Sequence, residues 1–251
     1  SSHCMTCGEK IRARDNIPVL SWVLLKGKCR KCGEPISTRY PIVESLNCIV
    51  YLITFAVKDF SFETILQCFF LSLLICIGFI DWDTQEMDLR LLFAIAVLAI
   101  PDIVFSVMNM AISPESLAGM PYFLQDWITN SHGLLFHLIG MLSIGLPFFL
   151  IGEISAPIIE KKFGERFRAI ELGDTILMAT SGLFLGWKVT VCSAFFGIII
   201  AAVWGIINKH RNGESKFAFG PALAIGLFIG VLFGESIVDW YITTLTYNPY
   251  E

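Results

Sequence analysis

Long apolar runs separated by short polar connections make up most of the chain. Several of these runs hold about 15 to 20 residues without a charge, which is the length that an α-helix needs to cross a bilayer. The pattern predicts seven such helices, at residues 43–58, 64–82, 89–108, 132–152, 173–187, 189–208 and 218–238. The sequence therefore predicts an all-α polytopic membrane protein, preceded by a polar stretch at residues 1–42.

The composition of the 251-residue chain supports this fold class and limits its partners. Hydrophobic residues make up 55% of the chain and charged residues only 16%, whereas a soluble domain is about a quarter charged. A single soluble core of this size could not bury so much apolar surface, so we expect the protein to lie in a lipid bilayer. The net charge of -4 gives no basic field, and nucleic-acid binding is not expected.

Positive charges are distributed unevenly around the predicted spans. If residues 1–42 are cytoplasmic, the segments on that side are 1–42, 82–90, 153–172 and 209–217. These segments hold 16 of the 18 Lys and Arg residues, and the long opposite loop 109–131 holds none. Because Lys and Arg concentrate on the cytoplasmic side of membrane proteins, we expect a cytoplasmic domain at 1–42 and a transmembrane domain at 43–251.

Two Cys-x-x-Cys pairs, "CMTC" and "CRKC", lie in the polar stretch and contain Cys4, Cys7, Cys29 and Cys32. Four thiolates complete a tetrahedral zinc site, and a site closed in this way is structural. Gly8 and Gly33 follow the two pairs, where a tight turn suits glycine. His3 is a weaker candidate ligand. The alternative, two disulfides, does not suit a reducing cytoplasm.

Four acids lie at or just after the end of the second predicted span, in the stretch "FIDWDTQEMD": Asp81, Asp83, Glu86 and Asp88. Ionisable groups at membrane depth are costly and suggest a function. Asp81 directly follows the apolar "CIGFI" and is expected at the cytoplasmic edge of the membrane. The other three suit a solvated loop, and Asp88 also suits the cap of the next helix.

A further acid, Asp174 in "AIELGDTILMA", opens the span at 173–187 and is expected at the same edge. A role as helix N-cap explains this residue equally well. If Asp81 and Asp174 meet, two close carboxylates are expected to hold one proton between them. One acid then takes a proton from water while the other protonates the leaving group, which is aspartic-protease chemistry. Gly173 would allow close backbone approach beside Asp174.

These motifs resemble those of the bacterial type IV prepilin peptidases, membrane aspartyl proteases of the GxGD type. The stretch "HCMTCGEKIRARDNIPVLSWVLLKGKCRKCGEPISTRYPIVE" is similar to the family's cytoplasmic zinc-knuckle domain from end to end. "FIDWDTQEMD" resembles the first aspartate motif and "ELGDTIL" the second, which implies that Asp81 and Asp174 are catalytic. "FAFGPALAIG" resembles a glycine-proline segment near the family's last helix.

The chain departs from the family pattern at three positions. Glu171 stands where the Gly-x-Gly-Asp motif has its first Gly, and Ile176 stands where a Lys is common. Met87 precedes Asp88 where the family usually has Pro. The family's additional N-terminal span is absent, so the start at Ser1 is interpreted as a truncation of a protein with eight spans.

The resemblance implies cleavage of the basic leader of prepilin or pseudopilin precursors at the cytoplasmic face of the bacterial inner (plasma) membrane. Family members with the zinc domain commonly also methylate the new amino terminus, which implies S-adenosylmethionine as a cofactor. Two other functions stay open. One is a transporter with a zinc-stabilised cytoplasmic domain, although transport sites usually lie near the bilayer midplane; the other is a secretion-system scaffold without catalysis.

Overall fold

The structure is a computed structural model that describes residues 3–101, 103–104, 134–163, 168–212 and 218–246, with the backbone alone at 162, 163 and 212. The chain forms two compact units, Ser1–Val57 and Lys58–Glu251. Five helices are long and apolar enough, by length and composition, to cross a membrane. The predicted class, an all-α polytopic membrane protein, is confirmed.

The helices follow in chain order. After a 3₁₀ turn at Ala13–Asn16, the first unit holds α1 (Leu20–Leu24) and α2 (Arg39–Val57). The second unit holds α3 (Phe62–Thr84), α4 (Leu89–Leu98), α5 (Leu134–Phe163), α6 (Leu172–Asn212) and α7 (Gly220–Thr246). All but α1 and α4 are candidate spans. The predicted span 89–108 begins with α4, and its residues 105–108 and the predicted loop 109–131 lie outside the described residues.

The polar start of the chain folds without an apolar core. Between residues 3 and 38 only Gly27 is buried. The indole of Trp22 covers this glycine, and its Nε1 donates a hydrogen bond of 3.0 Å to the carbonyl oxygen of Ile36. Gly27 has φ +67°, and a β-carbon there would lie 2.8 Å from the indole. A domain this small and open needs a source of stability other than apolar burial.

Helix α6 has 41 residues but leaves helical geometry at Gly186, where φ is +78°. The start of its first arm and the end of its second arm both lie near the end of α3. In the first arm, a β-carbon on Gly173 would lie 3.0 Å from Cβ of Met87, just after α3; in the second, the ring of Trp204 lies 5.6 Å from the ring of Trp82, near the end of α3. A straight helix would separate positions 174 and 204 by about 45 Å. Helix α6 is therefore a hairpin, and its arms match the predicted spans 173–187 and 189–208.

Helix α5 runs on to Phe163, whereas the sequence predicts a span that ends at residue 152 and a loop at 153–172. The apolar pattern continues past that point, because Ala156 is buried and Ile158 is exposed like a lipid-facing residue. Glu153, on this part of the helix, pairs with Arg168 beyond its end. Hydropathy indicates which residues suit the membrane, and a helix does not have to end where the charges begin.

Helices α5, α6 and α7 pack closely because glycines face one another where they cross. A β-carbon on Gly140 of α5 would overlap the carbonyl oxygen of Gly182 in α6, and the reverse also holds. Gly226 of α7 meets the backbone of Ser193 and Gly197 in the same way. Small residues let the backbones of membrane helices approach each other, so that dispersion contacts hold them together. These three helices are the most closely packed part of the second unit.

We expect Gly140→Ala to destabilise the protein by about 1–3 kcal/mol, because its new methyl group would meet a backbone oxygen that no side-chain rotation can move. Thermal unfolding in detergent should show a lower midpoint. Gly78→Ala in α3 is the matched control, since the nearest atoms would lie 3.8 Å away and alanine favours helix. An unchanged midpoint for Gly140→Ala would contradict the close crossing of α5 and α6.

Lys58 and Lys188, the two cations outside the predicted cytoplasmic segments, both lie beside acids of α7. Lys188 Nζ is 2.6 Å from Oδ1 of Asp239, and Lys58 Nζ is 3.9 Å from Oε2 of Glu235. Lys188 follows the bend of α6 and Lys58 precedes α3. These pairs therefore mark the end of the second unit opposite to Asp81.

Candidate functional site

Asp81 lies in the last turn of α3 and is only 6% exposed. Its Oδ2 accepts a hydrogen bond of 2.9 Å from the backbone N–H of Gly220, the first residue of α7. The first N–H groups of a helix have no partner within that helix and readily bind an acid. A β-carbon on Gly220 would lie 2.7 Å from Oδ2 of Asp81, so the contact requires glycine at this position.

Asp174 lies in the first turn of α6 and is 5% exposed. It is the third residue of the helix, and its Oδ2 accepts a hydrogen bond of 3.3 Å from the backbone N–H of Glu171. This contact is one half of a capping box, in which a side chain inside the helix binds the N–H of the residue before it. The bond uses only the backbone of Glu171. It can therefore form although Glu stands where the family motif has Gly.

Met87 lies next to two glycines: Gly220, whose N–H binds Asp81, and Gly173, which precedes Asp174. A β-carbon on Gly220 would lie 2.9 Å from its Cε, and one on Gly173 would lie 3.0 Å from its Cβ. Asp81 binds Gly220 and Asp174 follows Gly173, so the two buried acids lie at one end of the second unit, around one methionine. The arrangement brings together two carboxyl groups from helices that are far apart in the sequence.

The other acids of "FIDWDTQEMD" lie at the surface. Asp83, Glu86 and Asp88 are exposed. Oδ1 of Asp88 accepts a hydrogen bond of 2.8 Å from the backbone N–H of Arg90, which confirms the predicted cap of α4. Asp81 thus differs in burial from its three neighbours, as the sequence predicts.

Gly220 and Met87 are the residues of this site to which the sequence reasoning gave no role. A signal for Gly220 was present, because the pair Gly220-Pro221 begins α7. Proline suits the start of a helix, and the glycine before it offers a free N–H without a side chain. Met87 carried no comparable signal, since its contacts depend on how the starts of α6 and α7 pack beside it.

The four cysteines of the first unit form a second cluster. The Sγ atoms of Cys4, Cys7, Cys29 and Cys32 all lie within 4.8 Å of one another. Those of Cys4 and Cys32 are 3.8 Å apart, and a tetrahedral zinc ion with bonds of about 2.3 Å holds its sulfurs at about that distance. The spacing therefore fits zinc. The described cysteines are all free thiols, and His3 is not a member of the cluster.

Both Cys-x-x-Cys pairs adopt the same turn. The N–H of Cys4 donates to the carbonyl oxygen of Glu9, and the N–H of Gly8 donates to that of Cys4. Cys29 and Gly33 make the equivalent two bonds in the second pair. Both glycines have positive φ, +67° and +74°, which confirms the prediction that tight turns follow the cysteines.

The surroundings of the four thiols favour a cation among them. Backbone N–H groups of Cys7 and Thr6 lower the pKa of the Cys4 thiol to about 6. At Cys32 the N–H of Glu34 lowers the pKa, but desolvation and the neighbouring thiols raise it to about 12. Four thiols this close do not all ionise without a counter-ion, and a divalent metal ion supplies that charge.

Comparison with known proteins supports the family resemblance that these motifs indicate. The family model of the bacterial peptidase A24 N-terminal domain matches residues 1–58. The chain is 28% identical to a prepilin leader peptidase/N-methyltransferase of Aeromonas salmonicida (strain A449), over 97% of this chain and 75% of the relative. Proteins with the same name from Legionella pneumophila (29%; 96% and 75%) and Bacillus subtilis (strain 168) (27%; 96% and 85%) are similar. No solved structure matches the chain significantly.

The fold and the two clusters define a helical membrane protein with a pair of buried acids and a four-cysteine domain. The chain is related over nearly its whole length to the prepilin leader peptidases/N-methyltransferases. These relatives confirm the family resemblance predicted from the motifs.

Proposed function

We propose that the chain is an aspartyl endopeptidase that removes the basic leader of type IV prepilin or pseudopilin precursors. The observation that carries this proposal is the pair Asp81 and Asp174, both buried at one end of the second unit and each bound by a backbone N–H. The names of the relatives support the substrate. The uneven distribution of Lys and Arg supports cleavage at the cytoplasmic face of the bacterial inner membrane.

In this reaction Asp81 and Asp174 hold one proton between them. The ionised acid accepts a proton from water as the water oxygen bonds to the carbonyl carbon of the scissile peptide. The protonated acid gives its proton to the carbonyl oxygen, and when the tetrahedral intermediate breaks, a proton passes to the departing nitrogen. The N–H groups of Gly220 and Glu171 hold the two carboxyl groups in orientation throughout.

An apolar groove beside Gly220 supports a substrate that continues into the membrane. It has a volume of about 490 Å³, and its lining includes Ile198, Ala201, Ala202, Gly205, Lys209 and Phe219. Phe219 precedes Gly220, so the groove adjoins the N–H that binds Asp81. A peptide inside a bilayer must be helical and apolar, and the walls of this groove suit such a segment.

A cleavage assay tests the proposed function. The purified chain in detergent should convert a precursor with a basic leader and an apolar helix into two products, the leader and the shortened protein, identified by mass. A transporter or a non-catalytic scaffold would leave the precursor intact, and an intact precursor would overturn the proposal.

The four cysteines support a structural zinc ion in the first unit. Four thiolates close the coordination shell, so the metal holds the fold and takes no part in cleavage. Metal analysis of the purified protein should give about one zinc per chain. The cluster would then take the place of the apolar core that residues 3–38 lack.

The relatives' names include N-methyltransferase, and we extend the proposal to methylation of the new amino terminus, with S-adenosylmethionine as the methyl donor. No glycine-rich cofactor loop occurs among the described residues. No residue is therefore assigned to this cofactor.

Gly220→Ala should lower the rate of leader cleavage by about 10²-fold, because the new methyl group would displace the carboxyl group of Asp81 from its position. The rate constant for cleavage at saturating precursor measures the effect. Gly78→Ala, which has room for its methyl group, should cleave at the wild-type rate. Equal rates for Gly220→Ala and wild type would contradict a positioning role for the N–H of Gly220.

A further inference from the structure

The first unit carries an exposed apolar patch made of Ile17, Leu20, Val23 and Leu24. These side chains are 45%, 51%, 58% and 69% exposed. We propose that this patch inserts into the headgroup region of an anionic lipid leaflet, at the level where α2 enters the membrane. Contiguous exposed apolar side chains mark surfaces that meet another molecule or a membrane, and three further observations favour the membrane.

A strained turn presents the patch. Val19 has φ +60° and ψ −52°, and the N–H of Leu20 donates a hydrogen bond of 2.5 Å to the carbonyl oxygen of Pro18. This is the rare γ-turn with positive φ, and a β-branched residue adopts it only where its surroundings hold it. Oε2 of Glu44 does so, accepting a hydrogen bond of 2.6 Å from the N–H of Val19.

The same contact fixes the depth of the patch. Glu44 is the sixth residue of α2, a candidate membrane span, and lies about 7.5 Å along it. The headgroup layer on each side of a bilayer is about 5–8 Å thick. Tyr40, in the first turn of α2, is exposed and is of the type enriched at this boundary. The turn at Val19 therefore lies beside the first two turns of this candidate span, the part nearest the membrane surface.

The charges around the patch suit anionic lipid. Arg14 lies three residues before it, and Lys26 and Lys28 follow it; all three are exposed. Asp15 is the only acid between residues 14 and 28, and it forms an ion pair with Arg30. Apolar side chains flanked by cations bind at the interface of anionic membranes, where both kinds of contact act together.

Photo-cross-linking in the full chain tests the proposal. Benzoylphenylalanine replaces Leu24, and the protein is reconstituted into vesicles of phosphatidylglycerol and phosphatidylethanolamine. Met5 is the matched control position, because it is 91% exposed but lies in the first cysteine turn, outside the patch. After irradiation, lipid adducts on position 24, counted by mass spectrometry, should exceed those on position 5 several-fold.

Each other outcome overturns the proposal. If position 24 cross-links to another part of the chain or to an added precursor, the patch is a protein contact. Adduct yields equal to those of Met5 mean that the patch stays in water. In vesicles of phosphatidylcholine the yield should fall several-fold, and an equal yield would remove the role given to the cations. A normal zinc content shows that the labelled domain is folded, and no readout depends on peptidase activity.

Discussion

Asp81→Asn and Asp174→Asn should each reduce leader cleavage by about 10²–10⁴-fold while the protein stays folded. The oxygen of an Asn side chain still accepts a hydrogen bond, so it can replace Oδ2 of Asp81 opposite Gly220 and Oδ2 of Asp174 opposite Glu171. An amide neither takes nor gives the proton that the reaction needs. The two changes therefore separate proton transfer from the positioning of the side chains.

The controls for this prediction come from the same stretch of sequence. Asp83→Asn removes an exposed acid two residues from Asp81 and should keep most of the activity. The variant with both changes should cleave no more slowly than the less active of the two single variants. If the two acids act as one unit, removing either one already removes the function of the pair. Unfolding midpoints within a few degrees of wild type verify the fold. A single Asn variant that cuts at a near wild-type rate would exclude the acid pair as the catalyst.

Cys4→Ser and Cys29→Ser should each lose the bound zinc and unfold the region before α2. A structural zinc site contributes about 10–16 kcal/mol of binding free energy to folding, and residues 3–38 bury only Gly27. Nothing else in that region replaces so large a contribution. The zinc content should fall from about one per chain to near zero, and limited proteolysis should cut the N-terminal region rapidly.

Cys48→Ser is the control for this experiment. Cys48 is an exposed thiol of α2 and lies outside the four-cysteine cluster, so its replacement should leave the zinc content unchanged. Helices of the second unit should keep their circular dichroism in all three variants. Wild-type protein with disulfides between these cysteines and no metal would overturn the zinc site.

Local patterns were sufficient to predict the class of fold and the candidate residues. A bilayer requires long charge-free helices, so the apolar runs identify most spans, and an acid directly after such a run is conspicuous. That reasoning separates Asp81 from Asp83 although the two differ by only two positions. The cysteine pairs are equally local, because each pair and its glycine form a complete turn within six residues.

Contacts between distant helices could not be predicted from these patterns. Gly220 lies 139 residues from Asp81, and nothing in the neighbourhood of either residue indicates the other. The crossing at Gly140 and Gly182 depends likewise on how α5 and α6 meet. Composition indicates where small residues occur, but the partner of each is decided by the packing of the whole bundle.

Helix α7 is synthesised after every other described helix, and it supplies contacts at both ends of the second unit. Until it enters the membrane, Asp81 has no N–H of Gly220 to bind, and Lys58 and Lys188 lack their acid partners. A chain that lacks this helix leaves both cations without these acids and Asp81 without the N–H that binds it. The proposed catalytic pair therefore gains its full set of contacts only when the last of the described helices is in place.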